Sequence, residues 1–302
     1  MAADSVLVIG DVITDVIVQP HGPITWGSDT RADIRPMPGG SGPNQAAWLG
    51  IHGIHTLFIG RAGVHDLGVC EAELRDFGVE PILAGDEKLA TGMLVTIIAP
   101  DGERSFLTDR GANRNLCRGD LSDHLLHRLA LLHISGYSLF EPGPRGAILD
   151  FAKKARGMGV QVTVDPASAG FLREVGPADF LAWTSGLHMC FPNAEEAELL
   201  TGTGDHEQQM AKLAAHYSVV AIKRGRGGAD LGDATGARLH ADAKPVSVID
   251  TIGAGDAFYA GFIAGYLRGH PLQTCLEDGV AAGTRATTIL GGRPPRPDRS
   301  HP

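Results

Sequence analysis

The sequence is poor in several features that mark other classes of protein. It has only four cysteines (Cys70, Cys117, Cys190 and Cys275), none of them in a C-x-x-C pair. This scatter argues against a disulfide framework and predicts reduced thiols in a cytoplasmic protein. No window approaches about 18 apolar residues, and no basic segment followed by an apolar core opens the chain. We therefore expect no contact with a membrane and no signal peptide.

Positive charge is also scarce. The chain has 26 Lys and Arg residues against 35 Asp and Glu, a net charge of -9. A nucleic-acid surface needs clustered Lys and Arg, so we expect no nucleic-acid partner. The 13 histidines show no H-x-x-x-H spacing on a helix, which argues against zinc. With 43% hydrophobic and 20% charged residues, the 302-residue chain has the composition of an ordinary globular protein with a large core.

Short apolar runs alternate with helix-like segments along most of the chain. The predicted strands are 5–9, 56–59, 131–134, 160–164, 189–191 and 219–222, and the predicted helices are 43–49, 70–77, 145–156, 194–200 and 206–217. This alternation predicts an α/β fold: a Rossmann-like, mainly parallel sheet sandwiched by helices. Ligands of such sheets bind at the carboxyl ends of the strands. The polar residues expected there are Asp11, Asp15, Asp165, Asn193 and Lys223.

Two segments break this alternation. From about residue 15 to 36, apolar and polar residues alternate loosely without a helix signal. From about residue 93 to 112 they alternate around Pro100-Asp101-Gly102, a sequence typical of a hairpin turn. We expect them to form a small β-sheet that covers the site as a lid, within a single domain of residues 1–292. Residues 293–302 contain four prolines and are predicted to form a frayed tail.

The most informative stretch is the run D-T-I-G-A-G-D at 250–256. A predicted strand, 246–249, ends in an acid, and Asp256 opens a helix-like run over 257–267. Glycines admit a ligand close to the backbone, and the N–H groups of a first helical turn favour anions. An acid there, with the low pKa expected at a helix N-terminus, fits a base for a hydroxyl that attacks a phosphoryl group. The structural alternative is an ordinary N-cap beside a glycine turn.

A second glycine-rich run, P-G-G-S-G-P-N-Q-A-A, occupies 38–47. Proline suits a first helical turn, so a helix is predicted from about Pro43. The amide of Asn44 can donate to and accept from a polyol. The alternative is a loop in which the glycines serve turn geometry only.

The two runs resemble the C-terminal and the N-terminal (G-G-x-x-x-N) signatures of the ribokinase-like sugar kinases, the phosphofructokinase B type. Other similar segments follow in the family's order: 10–15, 60–68, 110–113, 193–196 and 223–228. The resemblance covers about Ser5 to Gly292, and agreement over that length is more specific than any single motif. It implies the ribokinase-like fold and an ATP-dependent kinase that transfers the γ-phosphate to a hydroxymethyl group of a sugar or sugar-like molecule.

The resemblance also implies roles for individual residues. Asp256 would be the general base, and the amides of Gly253, Ala254 and Gly255 would form an anion hole. The acceptor would be bound by Asp11, Asp15, Gly39, Gly40, Asn44, Asn113 and Tyr137. The nucleotide would be bound by Asn193, Lys223, Gly225 and Gly228, with Mg²⁺ held through water by Glu196. A monovalent cation, K⁺ in the family, would be held by Asp250 and carbonyls near Ala286 and Gly291.

Some of these residues have simpler explanations. Asn193 and Glu196 have the spacing of a helix N-cap and its capping-box partner, and both roles can coexist. Lys223 begins a basic run that could be a solvated surface, although its place after a buried strand favours phosphate contact.

The sequence departs from ribokinase proper where ribose is contacted. Ile13 stands in place of an asparagine, Tyr137 or a neighbour in place of a glutamate, and Ser41 in place of a frequent lysine. The resemblance therefore implies the reaction but not the sugar. A nucleoside kinase of the adenosine or pseudouridine type is the alternative, for which Trp26 would be the stacking aromatic. A non-catalytic regulatory relative is disfavoured, because Asp256 and its glycines are present.

The small sheet also predicts an assembly. A small sheet with two apolar faces is not stable alone in water, so we expect a homodimer in which two lids pack together. The alternative is a monomer whose outer lid face is polar, for which Asp29, Arg31, Asp33 and Arg35 are the candidates.

Overall fold

The computed structural model describes residues 5–99 and 103–297. The predicted turn at Pro100-Asp101-Gly102 and residues 298–302 of the predicted tail lie outside the described residues. The described part forms one large sheet of nine strands with helices on both faces, and a second sheet of four strands.

The large sheet consists of β1 (Ser5–Ile9), β4 (Thr56–Gly63), β5 (Val79–Asp86), β8 (Leu129–Ser135), β9 (Gln161–Asp165), β10 (Met189–Cys190), β11 (Val219–Lys223), β12 (Ala229–Asp233) and β13 (Arg238–Ala241). The small sheet consists of β2 (Ile13–Pro20), β3 (Ala32–Gly39), β6 (Gly92–Ile98) and β7 (Arg104–Asp109). The helices are α1 (Ser41–Ile51), α2 (Leu67–Arg75), α3 (Pro142–Gly157), α4 (Ala169–Val175), α5 (Pro177–Thr184), α6 (Ala194–Thr201), α7 (His206–Ala214), α8 (Ala254–Leu267) and α9 (Leu272–Ala286).

The large sheet has the order β13-β12-β11-β10-β9-β8-β1-β4-β5. Its strands are parallel except for the antiparallel pairs β11–β12 and β12–β13. One face packs on α1, α2, α8 and α9, and the other on α3 to α7. The central strands read as continuous apolar runs because both of their faces are buried. The predicted Rossmann-like α/β fold is confirmed.

The strand predicted at 246–249 is wrong. This segment follows β13 without pairing in a sheet, and Val246, Val248 and Ile249 are 42%, 47% and 63% exposed. Its apolar composition suggested a buried strand, but the antiparallel pair β12–β13 already ends the sheet on that side. The sequence analysis also missed β5, β12 and β13, as well as α4, α5 and α9.

The small sheet has the order β3-β2-β6-β7. The β2–β3 and β6–β7 pairs are antiparallel, and the second pair agrees with the predicted hairpin, whereas the central pair β2–β6 is parallel. Asp15 lies opposite Met37 on β3 and Leu94 on β6. Since side chains alternate between the faces of a strand, this register decides which residues face the large sheet.

The strand order reverses between β1 and β8. From β1 the chain adds β4 and β5 on one side, and β8 to β11 then extend the sheet on the other. In open α/β sheets the crevice at such a reversal is where ligands bind. Asp11 follows β1, and Tyr137 lies in a short 3-10 helix directly after β8. Along the described ranges, no helix combines the length and apolarity needed to cross a membrane.

Candidate active site

A cleft of about 590 Å³ lies over this reversal, between the ends of the parallel strands and the small sheet. Most of the predicted site residues line it: Asp11, Asp15, Gly40, Asn44, Tyr137, Asn193, Glu196, Lys223, Gly225, Gly253, Ala254, Gly255 and Asp256. Three others do not: Gly39, Asn113 and Gly228. Of the proposed cation ligands, Asp250 and Gly291 line a smaller neighbouring cavity and Ala286 lines neither.

The glycine turn at 253–255 brings the backbone into this cleft. Gly253 has a φ of 74°, and a Cβ atom on it would lie 2.4 Å from Cα of Gly292. Only glycine fits there without strain. Helix α8 begins at Ala254, three residues earlier than predicted, so Asp256 lies within its first turn. The N–H groups of that turn are the ones a helix leaves available to an anion.

Asp256 is held by two side chains of α1. Ser41 Oγ donates to Asp256 Oδ1 at 2.5 Å, and Asn44 Nδ2 donates to Asp256 Oδ2 at 3.2 Å. The carboxyl is buried, and burial raises its pKa to about 7 in spite of these two hydrogen bonds. The expectation of a low pKa is therefore wrong, because the loss of solvent around the carboxylate outweighs the helix N-terminus.

A buried ion pair borders the glycine turn. Lys223 Nζ donates to Asp165 Oδ2 at 2.6 Å, and a Cβ atom on Gly255 would lie 3.1 Å from that nitrogen. Burial lowers the pKa of Lys223, but Asp165 and Glu196 outweigh this and raise it. A fixed ammonium therefore lies beside the turn, and the alternative of a solvated charge is excluded for this lysine.

Asn193 and Glu196 form the capping box of α6. Glu196 N–H donates to Asn193 Oδ1 at 2.9 Å, and Asn193 N–H donates to Glu196 Oε2 at 2.8 Å. Both side chains also line the cleft. Burial, with the charge of Asp165, raises the pKa of Glu196 to about 7. The carboxyl can thus orient the loop and still meet a ligand.

The other half of the cleft contains Asp11 and Asp15. Asp11 accepts a hydrogen bond from Ser138 Oγ at 2.5 Å and pairs with Arg110. Asp15 packs against Gly39, where a Cβ atom would lie 2.2 Å from the carboxyl carbon. Gly39 therefore supports Asp15 from behind the cleft wall. Burial raises the pKa of Asp15 to about 6, and its Oδ1 has no hydrogen-bond partner among the described residues.

Asn113 has a different place from the one predicted. Its Oδ1 accepts from Val12 N–H, and its Nδ2 donates to the carbonyls of Val12 and Arg110, all at 2.8 Å. The amide is fully engaged with backbone, so it fixes the loop after β1 rather than lining the cleft. Gly228 is likewise structural: its φ is 79° and a Cβ atom would meet the carbonyl oxygen of Ala241 at 1.9 Å.

The sequence analysis missed several residues of the cleft. Ser41 was noted only as a departure from the family, and Arg110 only as part of a motif. Their signal was present, since Ser41 lies in the glycine-rich run and Arg110 opens the segment 110–113. Ser138 does not line the cleft but holds Asp11 from behind, and it had no local signal, because this contact joins residues 127 positions apart.

An apolar wall faces the polar groups. It consists of Ile13, Leu94, Phe106, Tyr137 and Phe171. The rings of Tyr137 and Phe171 pack edge to face, with centroids 6.0 Å apart. Trp26 lies in the connection between β2 and β3, is 91% exposed and does not line the cleft. The aromatic residue that the small sheet contributes is therefore Phe106, not Trp26.

Asp250 joins the 250–252 turn to the loop at 290–292. Its Oδ1 accepts from Ile252 N–H and its Oδ2 from Gly291 N–H, both at 3.1 Å. The carbonyl of Ala286 accepts from Ile289 N–H at 3.1 Å. No group of three or more His, Cys, Asp or Glu residues suited to a metal ion occurs in the described ranges.

Comparison with known proteins agrees with this geometry. The sequence profile of the pfkB family carbohydrate kinases matches residues 3–299. The acarbose 7(IV)-phosphotransferase of Actinoplanes sp. is 28% identical over 98% of this chain and 96% of its own. The ATP-dependent ribose-1-phosphate kinase of Halopiger xanaduensis is 28% identical over 72% of this chain and 67% of its own.

Solved structures share the fold. The adenosine kinase of Sinorhizobium meliloti superposes with a TM-score of 0.87 at 24% identity, over 97% of this chain and 96% of its own. An E. coli structure in complex with ATP and Mg²⁺ superposes with a TM-score of 0.85 at 22% identity, over 96% and 94% of the two chains. Since the profile spans nearly the whole sequence, this chain belongs to the pfkB family of carbohydrate kinases and is an ATP-dependent phosphotransferase.

Proposed function

We propose that this enzyme transfers the γ-phosphate of ATP to a hydroxymethyl group of a sugar or sugar-like acceptor, with Asp256 as the general base. The observation that carries the proposal is a buried carboxyl, with a pKa of about 7, in the helical turn whose N–H groups face the cleft. A base with a pKa near the working pH is effective in proton transfer.

The acceptor is bound by the polar groups on the α1 side of the cleft. Asp15 Oδ1 and Asn44 Oδ1 are buried and have no hydrogen-bond partner among the described residues. A buried acceptor atom left unpaired is costly, so these two oxygens are suited to hydroxyl groups of the ligand. Both lie in the cleft with Asp256, and together they orient the reacting alcohol towards the base.

The phosphoryl group is stabilised by the turn at 253–255 and by Lys223. The amides of Gly253, Ala254 and Gly255 act as the anion hole, and the ammonium of Lys223 adds a fixed positive charge beside them. The N–H of Ala254 donates to the carbonyl of Thr251 at 3.3 Å, a long hydrogen bond that a bound oxyanion can replace. The part of the cleft that would hold the nucleotide is lined by Asn193 and Gly225. Gly228 supports this part from behind the cleft wall.

Metal ions complete the site. Kinases of this family use ATP and Mg²⁺, and the hard carboxylate oxygens of Glu196 and Asp165 fit a magnesium ion that keeps several of its waters. Bound Mg²⁺ supplies neutralising charge to the phosphates. We propose that a monovalent cation, K⁺, is held by Asp250 with carbonyls near Ala286 and Gly291. Asp250 lies where the 250–252 turn meets the loop at 290–292, and a carboxylate oxygen is the kind of hard ligand that such a cation binds.

Substitution of the base tests the proposal. Asp256→Asn keeps the shape of the side chain but removes its basicity, and kcat is expected to fall about 10²–10⁴-fold. The affinity for a non-hydrolysable ATP analogue should change little. Asp278→Asn, at a half-buried carboxyl on α9 that pairs with His270, is the control and should leave kcat unchanged. Turnover of Asp256→Asn within a few-fold of the wild type would refute the assignment.

A nucleoside acceptor is the second candidate, and Phe106 is the observation that favours it. This ring lines the cleft from the small sheet and is 56% exposed, so it is free to stack on a base. A screen of pentoses, hexoses, sugar acids and nucleosides as acceptors, with ADP release as the measured signal, separates the candidates. Phe106→Ala should raise KM for a nucleoside by roughly 5- to 10-fold and leave KM for a monosaccharide nearly unchanged.

We also propose that two copies associate through the small sheet. The inner side of this sheet, which lines the smaller cavity beside the cleft, carries Asp15, Asp33 and Arg35. The opposite side is apolar and carries Val16, Val18, Ile34, Met93, Val95, Ile97 and Leu107. Ile34 and Leu107 are 62% and 61% exposed. Asp33 and Arg35, two of the four candidates for a polar outer face, thus lie on the inner face. This supports a dimer in which the apolar outer face is covered.

A further inference from the structure

A chain of polar side chains crosses the apolar core directly beneath the cleft. His133, on β8, is fully buried. Its Nε2 lies 3.0 Å from Gln45 Oε1 on α1, and its Nδ1 lies 2.9 Å from Thr163 Oγ1 on β9. Its ring stacks on that of Tyr259 on α8, with centroids 3.7 Å apart and planes inclined at 27°. A single imidazole therefore contacts both α1 and α8.

The partners fix the direction of the hydrogen bonds. The amide oxygen of Gln45 only accepts, so Nε2 of His133 carries the proton and Nδ1 accepts from the hydroxyl of Thr163. The Tyr259 hydroxyl, 3.5 Å from Thr163 Oγ1, is then the donor at the far end. This arrangement needs a neutral imidazole. Burial keeps it neutral, because it lowers the pKa of His133 well below the usual value.

The two helices that His133 joins are those that hold the base. Gln45 is adjacent to Asn44, and Tyr259 lies three residues, about one helical turn, after Asp256. Ser41 and Asn44 reach across from α1 to the carboxylate on α8. The separation and rotation of α1 and α8 therefore set the length and angle of both hydrogen bonds to Asp256.

We propose that His133 is a positioning residue for phosphoryl transfer: by hydrogen bonding to Gln45 and stacking on Tyr259, it fixes α1 against α8 so that Ser41 and Asn44 orient Asp256. The inference rests on the proposed function, since it assigns His133 an effect on the base. The competing explanation is a satisfied polar group in the core that contributes to stability alone.

Paired substitutions on β8 separate these explanations. His133→Leu removes both ring nitrogens but keeps an apolar side chain between the helices. Leu132→Ala is the matched control, because Leu132 is equally buried on the same strand but belongs to the core on the opposite face of the sheet. Both substitutions are expected to lower Tm, because both side chains are fully buried. We expect only His133→Leu to lower kcat, by roughly 10- to 100-fold, with KM for ATP within about twofold, since a small misplacement of reacting groups acts on turnover.

A conservative substitution supplies the rescue. In His133→Gln the side-chain amide can donate to Gln45 and accept from Thr163, so kcat should return to within a few-fold of the wild type. If His133→Leu does not fold, Gln45→Met is the substitute. It removes the hydrogen bond between His133 and α1 with little change in side-chain shape, and the same fall in kcat is expected.

The outcomes are distinct. Equal kcat losses in His133→Leu and Leu132→Ala, or an unchanged kcat in His133→Leu, would overturn the inference while leaving the kinase assignment intact. Where His133→Leu does not fold, an unchanged kcat in Gln45→Met would overturn it in the same way. A wild-type protein that phosphorylates no acceptor in the screen would overturn the proposed function itself.

Discussion

Asp256, the general base that we propose, has to meet two requirements that conflict. A general base must be ionised to accept a proton, yet this carboxyl is buried, and burial favours its protonated form. The two hydrogen bonds from α1 and the ammonium of Lys223 oppose that effect, whereas Asp165 adds to it. The balance leaves a pKa of about 7, where a modest change in surroundings changes the fraction of active base.

The first prediction at this scale concerns pH. Since Asp256 must be ionised, kcat/KM should fall as pH drops through about 7 and level off above it. Initial rates between pH 5 and pH 9 test this: rates at a limiting acceptor concentration give kcat/KM, and rates at a saturating concentration give kcat. A profile that stays flat down to pH 5 would contradict the role of Asp256.

Stability should have the opposite dependence. The raised pKa values of Asp15, Glu196 and Asp256 mean that the folded chain holds these protons more tightly than the unfolded one. Their contribution to the free energy of unfolding is fully present below the unfolded pKa values of about 4 and is lost as pH rises towards 7. In Asp256→Asn the slope of stability between pH 4 and pH 7 should be smaller than in the wild type, as measured by urea unfolding.

A third prediction at the residue scale concerns the acceptor. Ile13 and Tyr137 line the cleft at positions where ribose-contacting polar groups were expected, so D-ribose should be a poor acceptor. Ile13→Asn should raise kcat/KM for ribose by roughly 2- to 10-fold, the effect of about one hydrogen bond. If the wild type prefers ribose to every other acceptor tested, the correspondence at these two positions is wrong.

At the scale of elements, three segments meet behind the glycine turn at 253–255, which we propose as the anion hole. Asp250 joins the 250–252 turn to Gly291, and Trp48 of α1 donates its indole N–H to the carbonyl of Gly292 at 2.9 Å. Gly253 packs on the same glycine. Arg293, the first residue of the predicted tail, continues this anchoring through Glu73 and is largely buried, so the tail does not fray from its first residue.

This arrangement gives a prediction for potassium. A cation at Asp250 would stiffen the junction that holds Gly253 in place, so K⁺ should raise kcat relative to Na⁺ or Li⁺ at constant ionic strength. Rates in matched chloride salts measure the effect, and Asp250→Asn should abolish the difference between the salts. Equal wild-type rates in all three would reject the cation site.

At the scale of the whole molecule, the apolar outer face of the small sheet is a feature that a single chain does not explain. Apolar side chains of four adjacent strands face away from the large sheet, and such patches in water mark association surfaces. Packing two such faces together would also restrain the sheet that covers the cleft. A covered cleft excludes water from the phosphoryl group during transfer.

We therefore expect light scattering at micromolar concentration to give the mass of two chains. Leu107→Arg, on this face, should shift the protein towards the monomer, because the dimer would bury the new charge. Val69→Arg is the matched control: Val69 is equally exposed, at 62%, but lies on α2. A wild-type mass of one chain, unchanged by ATP and acceptor, would refute the dimer.

The sequence by itself determined the features that depend on neighbours in the chain. The capping box of Asn193 and Glu196 joins residues three positions apart, and the positive φ of Gly253 before α8 is a requirement of the local backbone. The alternation of apolar runs and helices likewise indicated the parallel sheet, because both signals are local. The same local pattern failed at 246–249, where no partner strand was available.

The tertiary structure decided what depends on distant residues and on solvent. Asp165 and Lys223 are 58 positions apart, and Asn113 and Val12 are 101 apart, so no local pattern reports either contact. Which face of the small sheet is polar depended on strand register, since a shift of one residue exchanges the two faces. The pKa of Asp256 depended on burial, because desolvation is set by everything that surrounds a group and not by its neighbours in the chain.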